Sequence, residues 1–232
     1  MKIKKQKLTK EIYKWSTHTP VIQTFLKLIK PELAIELGVG RYSTPLFLNY
    51  PYAKKILHID NEAGWLDVVK RENEKNIKNI SEFRHHDLLP LGITSLKLLP
   101  SELNSIQKNE IEKYYNDFKN ELIKLNYKTS LIFTDGFASC RKATVDILTP
   151  ITDVMIYHDA EKPVTYGYDK LEKTLYETHD EYVLETATSF TGFFIRKNLF
   201  NFEELKQELD NQISIYANSL GISKSDFNLV AK

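Results

Sequence analysis

Three ionisable residues in the second half of this 232-residue chain have the types and spacing for proton transfer: Asp135, His158 and Asp159. Each follows a short apolar run, Ser130 to Thr134 in one case and Asp153 to Tyr157 in the other. Two carboxylates at the ends of neighbouring strands face one crevice, where either can take a proton from a hydroxyl or an amine. His158 suits the same work because imidazole titrates near neutrality, and a strand-end histidine bonded to backbone is the competing reading. In the first half, Glu36-Leu-Gly-Val-Gly40 follows another apolar run and leads into Ser43-Thr44. Its two glycines let the backbone approach a ligand closely, and Ser43-Thr44 begin a helix. Asp60 and Asp87 end the next two runs, Lys55 to Ile59 and Ser81 to His86.

The elements that must position these residues alternate. Five strand-like runs are separated by amphipathic stretches, and Glu181–Glu185 with Gly192–Arg196 read as a closing antiparallel pair. This order predicts a single-domain, three-layer α/β/α sandwich: a mostly parallel seven-stranded sheet with a C-terminal antiparallel hairpin. Residues 1–30 are expected to form a helical extension packed on the core, with one helix over 9–29 that Pro31 stops. Residues 31–200 form the α/β domain, and 201–232 its C-terminal helix, closed by Gly221. Asn61 and Ser139 are expected to cap helices. In such sheets ligands bind just beyond the carboxyl ends of the strands, which is where the polar residues collect.

Composition narrows the function. Lys plus Arg is 32 and Asp plus Glu is 31, a formal net charge of +1. That balance speaks against broad nucleic-acid or anionic-membrane binding. No apolar stretch approaches the roughly 20 residues of a membrane span. The single cysteine, Cys140, suits a reducing compartment, so a cytoplasmic location is expected. Cys140 itself reads as a small packed residue.

A dinucleotide loop of the Gly-x-Gly-x-x-Gly kind would place glycine where Ser43 stands. Glu36-x-Gly38-x-Gly40, with acidic Asp60 about 20 residues on, instead resembles the class I S-adenosylmethionine-dependent methyltransferases. The resemblance runs from about residue 20 to 197. It implies that Glu36, Gly38, Gly40 and Ser43 form the loop beneath the methionine part of S-adenosylmethionine, with Glu36 serving the loop or the amino group. It implies Asp60 on the ribose hydroxyls, Asp87 on the adenine amino group and Asp135 as a cofactor-facing or catalytic carboxylate. Tyr42, between Arg41 and Ser43, departs from the pattern. The catechol-type members add Mg²⁺ on two carboxylates and an Asn; here Asp159-Ala-Glu161 lacks the Asn, and Glu161 is the one substitute, so no metal is expected.

The implied activity is O- or N-methylation of a small-molecule or glycan-type acceptor. Other readings are aminopropyl transfer on the same fold, or a ligand-binding or interaction module without catalysis. Of five arginines, Arg41, Arg84 and Arg141 fall near strand ends. They read equally as receptors for an anionic ligand or as partners of nearby carboxylates. Ala160 to Tyr168 reads as a loop covering the acceptor.

Overall fold

A computed structural model describes residues 11–94 and 98–232. Leu33–Leu37 (β1), Lys55–Asp60 (β2), Ser81–His85 (β3), Ser130–Thr134 (β4) and Val154–His158 (β5) pair in parallel. Thr191–Arg196 (β7) runs antiparallel to β5, His179–Thr186 (β6) pairs with β7, and Phe227–Ala231 (β8) closes the edge. The spatial order is β3-β2-β1-β4-β5-β7-β6-β8. Among the described residues the sheet therefore has eight strands, one more than expected. The segment after 221 is short and only weakly apolar, and it becomes a strand through its pairing with β6.

Helices cover both faces. On one face Thr19–Ile29 (α1), Thr44–Asn49 (α2) and Phe202–Leu220 (α6) pack on the sheet, with Ala34, Ile56, Phe133 and Ile156 meeting Phe25, Phe47 and Leu209. On the other, Ser105–Leu125 (α4) and Ala138–Leu148 (α5) set Tyr115, Phe118 and Val145 against Ile35, Ile132 and Met155. Ala63–Glu72 (α3) buries Leu66 and Val69 beside Val39. The successive side chains of one strand thus feed two separate cores, as buried parallel strands must.

Three expectations about helices need correction. The stretch expected as one helix over 9–29 is interrupted, within the described residues, by a turn at Thr17-His18, and α1 starts at Thr19 with Pro20 in its first turn. Proline fits that position because the missing N–H has no intrahelical partner there. Asn61 does not cap α3, whose N-cap is Glu62. Ser139 lies inside α5, whose N-cap is Phe137.

Candidate functional site

The carboxyl ends of β1, β2, β4 and β5 border a cavity of about 650 Å³. Gly38, Val39, Asp60, Glu62 and Trp65 line one end, and Asp135, Arg141, His158, Asp159 and Ser189 the other. The first end depends on glycine. Gly38 has φ +93°, and a Cβ there would stand 2.3 Å from the Gly136 nitrogen, so β1 and β4 can meet at this height only without a side chain.

Beneath the loop, Glu36 and His58 lie side by side on β1 and β2, both fully buried, with His58 Nδ1 2.6 Å from Glu36 Oε2. The Thr44 hydroxyl donates to the same carboxylate at 2.8 Å and accepts the Gly40 N–H at 3.1 Å. Glu36 thus holds the loop from below. Asp60 holds it from the side: Oδ2 accepts the Val39 N–H and Oδ1 the Glu62 N–H, both at 2.8 Å. A carboxylate offers about four lone-pair directions, so two remain free toward the cavity. Burial lifts the Asp60 carboxyl to about 6, against the pull of its two N–H donors. The Trp65 indole clamps the Val39 carbonyl at 2.7 Å.

Ser43 is buried behind the loop, and neither it nor Gly40 nor Tyr42 is among the residues lining the cavity. Asp87 is exposed, and its carboxylate accepts the Leu89 N–H. Between Asp87 and the cavity, Asn61 ties three segments together: it donates to the His86 carbonyl and accepts the Phe137 N–H. His86 is buried and stacked on Tyr114, whereas its neighbour His85 is exposed.

At the second end the structure brings Asp135, His158 and Asp159 together around Arg141. The guanidinium donates to Asp135 Oδ1 at 2.7 Å, to Asp159 Oδ2 at 2.8 Å and to the Gly136 carbonyl at 3.0 Å. Asp159 reaches it from a left-handed backbone, φ 57°, which Asp tolerates better than most residues. His158 Nδ1 is 3.3 Å from Asp135 Oδ1, and Nε2 faces the hydroxyls of Thr17 and Ser189 at 3.2 and 3.3 Å. Burial alone would lower the His158 pKa and raise those of the two carboxyls. The charges prevail: Asp135 and Asp159 raise His158, and in return His158 and Arg141 hold both carboxyls below their ordinary values.

Arg141 occupies the position between the aspartates where a hard cation would bridge them, and Glu161 accepts the Phe190 N–H. The Mg²⁺ arrangement of two carboxylates with Glu161 therefore has no support from this geometry. The other two strand-end arginines are also paired, Arg41 with Glu72 and Arg84 with Glu82 and Glu121. After β5, residues 163–166 make one helical turn that lays Tyr166 over Arg141, 4.3 Å from guanidinium carbon to ring centre.

Two residues of this region escape a reading of the sequence. Trp15, 56% exposed, lines the cavity rim together with Lys14. His18, 3% exposed, sets its ring at right angles to that of His158 with 5.0 Å between centres. Pro20 is the one local signal that the chain turns there.

No protein-family model matches the chain, and no curated protein matches it in sequence. Solved structures do match. An O-methyltransferase from Bacillus cereus in complex with SAH has a TM-score of 0.50 at 12% identity, over 78% of this chain and 81% of that one. The spermidine synthase of Thermotoga maritima gives 0.48 at 12% identity, over 83% and 62%. The N-methyltransferase NodS of Bradyrhizobium japonicum gives 0.43 at 12% identity, over 78% and 94%. Identity this low bears on architecture alone. With its parallel β3-β2-β1-β4-β5 order and antiparallel β7, the chain has the Rossmann-like fold of the class I S-adenosylmethionine-dependent methyltransferases.

Proposed function

We propose that the protein is an S-adenosylmethionine-dependent methyltransferase acting on a hydroxyl or amine of a small-molecule or glycan-type acceptor. The observation that carries this reading is Asp60: it lines the cavity with two lone-pair directions free, matched to a vicinal diol. Gly38 and Val39 line the cavity where the methionine part would lie, with Glu36, Gly40 and Ser43 acting from behind as supports. Asp87 is a weaker candidate for the adenine, because it stands off the cavity. S-adenosylmethionine, when bound, supplies an electrophilic methyl group on a sulfonium.

The rest falls to the chain's own residues. Asp135 and Asp159, kept anionic by Arg141, orient the acceptor, and the deprotonated form of His158, whose basicity those carboxylates raise, receives its proton. Trp15 at the rim offers a flat apolar face to a ring. Titration calorimetry with S-adenosylhomocysteine tests the first half of the reading; no heat at millimolar ligand overturns it. Product analysis with S-adenosylmethionine and pooled hydroxyl and amine acceptors tests the second. A ligand-binding module without transfer is favoured by one observation, the pairing of both carboxylates with Arg141; tight binding without methylated product identifies it.

A further inference from the structure

Beside the acceptor end of the cavity lies a donor set with one member, His18, that methyl transfer does not account for. One ring nitrogen each of His18 and His158 and a carboxylate oxygen of Asp135 lie within 4.8 Å of one another. His18 is buried, and neither of its ring nitrogens has a hydrogen-bond partner among the described residues. A buried imidazole normally bonds through at least one nitrogen, so this one has a free electron pair among polar groups.

The surroundings of the other two donors are those of metal ligands. His158 Nε2 faces the hydroxyls of Thr17 and Ser189; when it donates there, a metal ion can take the Nδ1 electron pair in place of the proton shared with Asp135 Oδ1, 3.3 Å away. The Asp135 carboxylate is itself anchored by Arg141 at 2.7 Å. Such outer contacts orient metal-binding histidines and carboxylates.

We propose that His18, His158 and Asp135 form a binding site for a divalent first-row transition ion of the Zn²⁺ type, open to the cavity through the remaining coordination positions. Two imidazoles and one carboxylate suit Zn²⁺, Co²⁺ or Fe²⁺ and are poor donors for Mg²⁺, which prefers an all-oxygen shell. Bond lengths near 2.1 Å ask for donor separations of about 3–3.5 Å, so the three donors, now within 4.8 Å of one another, draw together on binding. The site concerns the acceptor end of the cavity but rests on the donor set alone, and metal binding is read without cofactor or acceptor.

The test uses the full chain, stripped with chelator and titrated with Co²⁺ while the visible absorption of the bound ion is followed, then with Zn²⁺ in competition. The expected result is one ion per chain, displaced by Zn²⁺ and not by millimolar Mg²⁺. His18→Gln weakens binding at least tenfold, and His85→Ala, on the surface, leaves it unchanged. Electron paramagnetic resonance of the Cu²⁺-loaded wild type counts two imidazole nitrogens, a readout that needs no variant. The proposal is overturned by no stoichiometric Co²⁺ or Zn²⁺ binding, by His18→Gln binding as tightly, by equal competition from Mg²⁺, or by fewer than two imidazoles on Cu²⁺.

Discussion

Replacing Asp60 with asparagine removes the charge and one of two acceptor oxygens while keeping the shape. The lost charge-assisted hydrogen bonds to a ribose diol are worth about 1.5–3 kcal/mol, or roughly 10- to 150-fold in affinity for S-adenosylhomocysteine. The asparagine NH₂ must also face the N–H of either Val39 or Glu62, both now bonded at 2.8 Å, so the upper part of that range is expected. The wild type carries its own control in pH. The Asp60 carboxyl is raised to about 6, chiefly by burial, and only the ionised form accepts both hydroxyls with full strength. Competent protein is therefore a minority at pH 5 and the bulk above pH 7, and the apparent Kd weakens about tenfold between pH 7 and pH 5. Stability runs the other way. A carboxyl with a raised folded pKa contributes stability that is full below its unfolded value near 4 and is lost as pH climbs through about 6. Calorimetry in buffers from pH 5 to 8 measures the affinity. A flat Kd, together with unchanged binding by Asp60→Asn, refutes the placement of the ribose at Asp60.

Three further outcomes test the architecture around the site. Gly38→Ala forces a Cβ onto the Gly136 nitrogen at positive φ, so it costs at least about 2 kcal/mol and abolishes S-adenosylhomocysteine binding; thermal melts and calorimetry read both. Glu36→Ala leaves His58 and Thr44 buried without their shared partner, and at about 3–5 kcal/mol the thermal midpoint falls by about 6–20 °C. Cys140, buried and with its thiol pushed up to about 12 mainly by burial, resists thiol reagents at pH 8 until denaturant is added; stoichiometric labelling of the folded protein contradicts that burial.

The strands around the cavity were legible because each is a short apolar run with a polar stop, and β1 and β4 match their expected limits. Gly38, Asp60, Asp135, His158 and Asp159 follow from those stops. Pairings made across the sheet are different in kind. Nothing near Arg141 says that it joins two aspartates, because the closure comes from β4 and β5 docking side by side. His18 was hidden inside an apolar periodicity that continues across the Thr17-His18 turn, and Pro20 alone marks the break. Asn61 and Ser139 look like caps in a linear reading, yet the Asn61 side chain finds better partners in His86 and Phe137.

Gly38 meets the backbone of Asp135 and Gly136, residues almost a hundred positions further along the chain. The shape of the glycine loop is consequently not a local property of residues 36–44. During synthesis those residues emerge long before β4 does, and until residues 130–137 arrive the loop has no wall to rest on. Loop closure on that scale is slow and non-local, so ligand affinity appears late in folding, after the central strands have zipped. A nascent chain halted before β4 is expected to hold β1, β2 and β3 and still lack the site, which makes ligand binding a reporter of completed assembly rather than of early collapse.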